Sequence, residues 1–236
     1  MKIFLFLNKD IHAISAAEML CENLQKHEVK IFLSQVVGDV SALPRELLEL
    51  KKIEQNGADE KLQQLAKKLG AEVEICAQVN EGNFLQRLRQ AAPDMFLSIR
   101  FGQIFHDAAI KIPKHGVINF HSGILPNYRG ILATFWAILQ GEREIGTTLH
   151  HVDDSGIDTG DIIKISRVKL DAGLSLFKNL QKLYEATIGV VAEAIEKINR
   201  GEKLPRISQK NSPNVRYFSY PKAADIAKFL EIMPLF

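Results

Sequence analysis

The sequence predicts an α/β protein, a mostly parallel, twisted sheet with helices on both faces, followed by a short C-terminal appendage. Three observations predict it. Short, continuous apolar runs such as residues 3–7 read as strands buried on both faces. Segments with apolar residues at helical spacing follow each such run. The two types alternate as far as about residue 120, which calls for helical crossovers between parallel strands rather than hairpins.

The elements follow in order. After the first strand, Ile14, Ala17, Leu20, Cys21 and Leu24 recur at helical spacing, and residues 29–33 form a second strand. A helical stretch starts near Pro44 and is interrupted near Gly57, with Leu62, Leu65 and Leu69 on one face of its second half. Gly70 is a helix stop, and residues 71–76 are a third strand. Residues 84–91 read as a short helix, and 94–98 and 116–120 as strands. Without a GxGxxG after the first strand, this is a Rossmann-like layout lacking the dinucleotide signature.

The second half changes character. Residues 130–140 look helical, 146–151 form a strand, and 161–170 are β-like, with apolar residues at 162, 163, 165 and 168. One long amphipathic helix is expected over residues 175–200, carrying Leu176, Leu180, Leu183, Ile188, Val191, Ala194 and Ile198. Residues 201–221 break the pattern with Gly201, Pro205, Pro213, Pro221 and the cluster Tyr217-Phe218-Ser219-Tyr220. They read as a surface wrap or small cap ending in a helix over 223–232. The expected division is therefore residues 1–200 as the main domain and 201–236 as the appendage.

Composition excludes more than it assigns. A chain of 236 residues, 46% apolar and 25% charged, can build one sizeable soluble core. A formal net charge of +2 gives no strong pull toward nucleic acid or an acidic membrane. The two cysteines, Cys21 and Cys76, form no CxxC or Cys/His cluster and read as buried thiols of a reducing compartment. The N-terminal apolar run is too short for a signal peptide, and no stretch approaches the roughly 20 residues that span a bilayer. The expectation is a cytoplasmic protein with no membrane contact.

Two polar clusters stand where such a sheet binds ligands. Asn119 and His121 close a strand two residues apart, so they project from the same face at the carboxyl end of the sheet. Residues 122–130 then form a loop rich in turn residues. Further on, Asp153, Asp154, Asp158 and Asp161 crowd one loop with Gly156 and Gly160. Its spacing does not fit an EF-hand, since no glutamate closes a twelve-residue loop, and no metal site is expected. Read alone, the first cluster fits a polar strand end and the second a solvated hairpin connection as well as they fit a site.

The stretch Ile118-Asn119-Phe120-His121-Ser122-Gly123-Ile124-Leu125-Pro126-Asn127-Tyr128-Arg129-Gly130, then Phe135-Trp136-Ala137-Ile138, Gly146-Thr147-Thr148-Leu149-His150-His151 and Gly156-Ile157-Asp158-Thr159-Gly160-Asp161-Ile162-Ile163, resembles the N10-formyltetrahydrofolate-dependent formyltransferase family. Separated motifs agree in order and spacing. The resemblance implies that Asn119, His121 and Asp158 are catalytic. That chemistry suits the residue types. An amide and an imidazolium can stabilise charge developing on the formyl oxygen, and losing one such donor typically costs about 10²–10³ in rate. A carboxylate can orient the imidazole and favour its charged form.

The resemblance also implies a pterin pocket between residues 98–104 and 150–158, with Arg100, Phe101, Gly102, Ile104, Val152, Asp153 and Gly156 as contacts for N10-formyltetrahydrofolate. Phe101 and Ile104 serve core packing equally well. Tyr128, Arg129 and Tyr217 are the expected contacts of the acceptor. His150 and His151 face opposite ways on one strand, one toward the core and one toward the site rim.

The acceptor follows by elimination. The loop after the first strand, Leu7-Asn8-Lys9-Asp10-Ile11-His12-Ala13, lacks the glycines with which glycinamide ribonucleotide enzymes bind phosphate. The short segment after the long helix is too small for the separate C-terminal barrel of methionyl-tRNA enzymes, and formyltetrahydrofolate hydrolases carry an N-terminal regulatory domain that has no counterpart here. The resemblance then favours a nucleotide-linked deoxyamino sugar, such as a dTDP- or UDP-4-amino-4,6-dideoxyhexose of surface polysaccharide or O-antigen synthesis, with a homodimer as the expected assembly. The competing readings are a methionyl-tRNA formyltransferase-like enzyme and a folate- or nucleotide-binding module without turnover.

Overall fold

The N-terminal apolar run forms β1 (Lys2–Asn8), and its alternation divides the molecule into two layers. Ile3, Leu5 and Leu7 enter a mainly aliphatic core on one face, while Phe4 and Phe6 enter an aromatic core on the other. The computed structural model describes residues 1–34 and 43–236. In chain order the elements are β1, α1 (Ile11–Met19), α2 (Cys21–Leu24), β2 (Glu28–Ser34), α3 (Arg45–Gln55), α4 (Ala58–Leu69), β3 (Glu72–Ile75), α5 (Gly82–Ala91), β4 (Met95–Ile99), α6 (Asp107–Ile110), β5 (Val117–His121) and β6 (Arg129–Gly130). There follow α7 (Ala133–Leu139), β7 (Glu144–Val152), β8 (Ile162–Lys169), α8 (Leu176–Thr187), α9 (Gly189–Asn199), β9 (Tyr217–Phe218) and α10 (Ala223–Leu230).

The main sheet has seven strands in the order β3-β2-β1-β4-β5-β7-β8. Strands β1 to β5 are parallel, and β7 runs against both β5 and β8. The mostly parallel sheet with helices on both faces is the architecture the alternation predicts. From β1 the chain builds outward through β2 to β3 and then returns to place β4 on the other side of β1. The β1/β4 gap is thus the topological switch point, where the loops leaving adjacent strands part and leave a crevice.

Helices α1, α4, α8 and α9 cover the aliphatic face through Ile14, Leu65, Leu183 and Ile195, and α5 covers the aromatic face through Phe84, Leu85 and Leu88. The single helix expected over 175–200 is divided at Ile188 into α8 and α9. The Thr187 hydroxyl donates back to the Leu183 carbonyl at 2.7 Å, a bond that competes with the helix ladder, and Gly189 follows at once. Two-residue strands such as β6 and β9 carry no periodicity, so the sequence pattern does not reveal them.

The chain after residue 200 folds back onto the sheet. An isolated bridge joins Ile207 to Ile162 of β8, and β9 pairs in parallel with β6. Phe229 of α10 stacks on Phe135 of α7 with ring centroids 4.2 Å apart, and Ile226, Met233 and Leu235 join the aliphatic core. Among the described residues no helix is long and apolar enough to cross a membrane.

Candidate active site

β5 brings the first two polar residues together. Asn119 and His121 leave the same face, as the two-residue spacing requires, and the antiparallel register sets His150 of β7 directly opposite Asn119. Asp158 arrives from the loop between β7 and β8. That loop is held by Asp154, whose Oδ1 accepts from the Gly156 amide at 2.7 Å and from the Thr159 hydroxyl at 2.9 Å. Asp158 sits in the left-handed region at φ 54°, which aspartate tolerates better than most residues.

The side chains converge on the Asp158 carboxylate. His121 Nδ1 lies 3.6 Å from Oδ2, and His150 Nε2 and Asn119 Nδ2 lie 3.3 and 3.4 Å from Oδ1. The Gly130 amide donates to Oδ2 at 2.8 Å. Burial alone would push this carboxyl up; the charges of His121 and His150 and the hydrogen bonds from His150 and Gly130 outweigh it and hold Asp158 far below the usual carboxylate range.

One N–H on each imidazole follows from the acceptors present. His121 Nε2 faces the Tyr128 carbonyl at 2.7 Å, and a carbonyl can only accept, so Nε2 carries hydrogen. Nδ1 is then the atom that can take up or release a proton, with a carboxylate beside it to stabilise the imidazolium. His150 Nδ1 likewise donates to the His151 carbonyl at 2.8 Å, and its Nε2 lies between the Asn119 amide nitrogen at 3.1 Å and Asp158 Oδ1 at 3.3 Å. The Asn119 NH₂ donates to Asp158 Oδ1 at 3.4 Å and packs against the His150 ring edge.

A cavity of about 360 Å³ opens over this cluster at the β1/β4 crevice. Of the expected co-substrate contacts, Phe101, Gly102, Ile104, Val152 and Gly156 line it. The Gly102 amide is held by the Ser34 hydroxyl at 2.8 Å, and Phe101 stacks on Phe105 and meets Phe6 edge-on. Arg100 also borders the cavity, but its guanidinium is committed elsewhere. Nε donates to Asp10 at 2.9 Å and an Nη to Glu54 at 3.0 Å. Asp153 does not line the cavity, because its carboxylate pairs with Arg206 on the outer surface.

The expected acceptor contacts divide similarly. Tyr217 lines the cavity with more than half its surface exposed. Tyr128 and Arg129 turn away: the Tyr128 ring is buried against Phe218 with its hydroxyl on Glu142 at 2.7 Å, and the Arg129 guanidinium binds Gln209. The Tyr128 carbonyl and the Gly130 amide, rather than side chains, are what that loop contributes to the cluster.

Sequence reasoning missed the second polar group on the wall. Burial would raise Asp10, but Arg100, the Ala13 amide and Asn8 pull its carboxyl below the usual range. Burial pushes Glu54 up to about 7 against the opposing charge of Arg100. His12, buried beside it and further disfavoured by Arg100, falls to about 3. Lys51 closes the rim beneath Tyr220, its ammonium 5.1 Å from the ring centre. His150 was detectable in part, since strand alternation separates it from His151; choosing between them needed the β5–β7 register. Among the described residues no His, Cys, Asp or Glu group is arranged to hold a metal ion.

An α/β sheet with an amide, an imidazole and a carboxylate gathered at its switch-point crevice is equipped to stabilise charge and move protons around one small electrophile. Residues 40–195 match the formyl transferase family, and the chain belongs to that family. The methionyl-tRNA formyltransferase of Syntrophomonas wolfei is 28% identical over 151 residues, 64% of this chain and 48% of that protein. The chain therefore spans about half the length of the curated relatives it matches. Among solved structures, an N-formyltransferase from Helicobacter canadensis complexed with folinic acid and dTDP-3-aminofucose aligns over 92% of this chain and 70% of its own, with a TM-score of 0.60 and 21% identity. The glycinamide ribonucleotide transformylase 1 of Symbiobacterium toebii aligns over 88% of this chain and 94% of its own, with a TM-score of 0.66 and 15% identity. At these identities the structural likeness establishes the fold.

Proposed function

We propose that this chain transfers the formyl group of N10-formyltetrahydrofolate to the primary amine of a nucleotide-linked deoxyamino sugar. The observation that carries this reading is the convergence of Asn119, His121 and Asp158 beneath one cavity, in a chain of the formyl transferase family. The folate's pterin occupies the wall made by Phe101, Gly102, Ile104, Val152 and Gly156. The acceptor enters past Tyr217.

The neutral amine attacks the formyl carbon, and the carbonyl electron pair moves onto oxygen. One Asn119 N–H turns from the cluster to that oxygen, where a fixed donor stabilises the developing charge. The attacking nitrogen loses a proton, and N10 gains one as the bond from carbon to N10 breaks, leaving the formamide and tetrahydrofolate. His121 Nδ1 is the atom suited to carry that proton, and Asp158 stabilises the imidazolium in between. In this reading the product feeds surface polysaccharide or O-antigen assembly from the cytoplasm, and two chains associate.

A sugar 3N-formyl transferase and the sugar N-formyltransferase of a Shewanella species stand among the structural neighbours, over 93% and 98% of this chain, which favours the sugar. The curated sequence relatives favour a second reading, transfer to methionyl-tRNA. One assay separates them: release of tetrahydrofolate from N10-formyltetrahydrofolate in the presence of dTDP- and UDP-amino sugars, free amino sugars and charged tRNA. Turnover with a nucleotide-sugar supports the proposal, turnover with charged tRNA replaces it, and tight folate binding without turnover makes the chain a binding module. Sedimentation at working concentration checks the association state.

A further inference from the structure

We propose that Gln209, in the segment that follows α9, is a positioning residue that fixes the catalytic geometry of Asp158. The proposal rests on the reading of Asp158 as part of the reacting cluster. Gln209 is 4% exposed, and its amide has a partner on every side. Nε2 donates to the Asp158 carbonyl at 3.0 Å and to the Gly160 carbonyl at 2.6 Å. Oε1 accepts from Arg129 Nε at 3.2 Å and Nη2 at 2.8 Å. The orientation of the amide is dictated by its partners, since carbonyls only accept and a guanidinium only donates.

These bonds close a ring around the carboxylate. Asp158 holds a left-handed backbone, so its carbonyl is swung out of line with its neighbours and needs a donor there. Gln209 supplies that donor and ties the same loop again at Gly160. Its other end grips Arg129, and the next residue, Gly130, gives its amide hydrogen to Asp158 Oδ2 at 2.8 Å. One side chain from 51 residues away therefore sets both the backbone that carries the carboxylate and the donor that aims it. The Arg206–Asp153 pair tethers the same segment, but it lies at the surface, where such pairs contribute little.

The test is Gln209→Glu in the full chain. The variant keeps the size of the side chain and its Arg129 partner, and turns an acceptor oxygen toward two carbonyls. The first readout is a ¹³C titration of the Asp158 carboxyl, which needs no acceptor. Its midpoint should rise by about one pH unit or more as the Gly130 hydrogen bond loosens, and the Gly130 amide proton should shift upfield. With an accepted amine, kcat should fall roughly 10- to 100-fold, the scale set by small misplacements of a reacting group, while KM for N10-formyltetrahydrofolate stays within about threefold. Gln209→Met, which removes all four bonds at similar volume, should move the same readouts in the same direction. An unchanged Asp158 titration with kcat within about twofold, alongside a lowered Tm, overturns the proposal and leaves Gln209 as a staple of the C-terminal segment. Failure of both variants to fold overturns it too, by making the contact a requirement of folding. A wild-type chain that transfers formyl to nothing sinks the reaction assigned above, and the titration still decides Gln209.

Discussion

Replacing Asp158 by asparagine keeps the shape of the side chain and removes its charge. The carboxylate oxygen lies 3.6 Å from His121 Nδ1. At an effective dielectric of about 20, a unit charge at that separation stabilises an imidazolium by roughly 4–5 kcal/mol. Loss of that term from a step in which His121 carries the proton corresponds to about three powers of ten in rate. The new amide oxygen can still accept from Gly130, but its NH₂ meets the Asn119 NH₂, a donor against a donor where a carboxylate had accepted at 3.4 Å. Both effects act on the reacting cluster and not on the pterin wall. In single-turnover transfer from N10-formyltetrahydrofolate, Asp158→Asn should be slower by about 10³ while donor affinity, read by fluorescence titration, changes less than about threefold. The variant should also be less steeply destabilised by acid. The folded carboxyl sits below its unfolded value, so its stabilisation is present above about pH 4 and is lost as pH falls through the folded value. A rate within tenfold of wild type would refute this account of the carboxylate.

Two further predictions concern stability. Glu54 is raised from 4.5 to about 7, so between those values the folded chain holds a proton that the unfolded chain has released, and stability declines as pH rises through that window. His12, lowered from 6.5 to about 3, contributes the opposite slope, losing stability as pH falls through its own window. Glu54 is faced by Arg100, Asp10, Lys51 and His12, and Glu54→Gln should lessen the loss between pH 5 and 8 by on the order of 2 kcal/mol in urea titrations; identical losses in both chains would remove Glu54 as the cause. Phe229→Ala should cost about 3–5 kcal/mol, since the ring is fully buried and stacked on Phe135. A cost below about 1 kcal/mol would mean that α10 does not share the core of the sheet.

Much of this molecule can be read from periodicity, because periodicity is a local statement about faces. Runs such as residues 3–7 carry no polar interruption, and a strand of that kind is stable only between two covered layers. Asn119 and His121, two apart at a strand end, leave the same face in the structure as any β-strand must have them do. Asp158, by contrast, joined them through family resemblance rather than through any spacing.

What a face meets is not a local property. Whether His150 or His151 completes the cluster depends on the β5–β7 register, since a slip of one residue would exchange them. The Asp10–Arg100–Glu54 cluster unites groups 90 and 46 residues apart, and it draws the Arg100 guanidinium away from the role its position in the loop suggested. Tyr128, Arg129 and Asp153 sit in loops, where no period tells which way a side chain turns; partners at Glu142, Gln209 and Arg206 decided it. Gln209 itself stands in a stretch with no pattern at all. The amino-acid order determined which residues could share a face, and only the tertiary fold determined which buried donors and acceptors satisfied one another, because each such bond is made between segments that the chain brings together last.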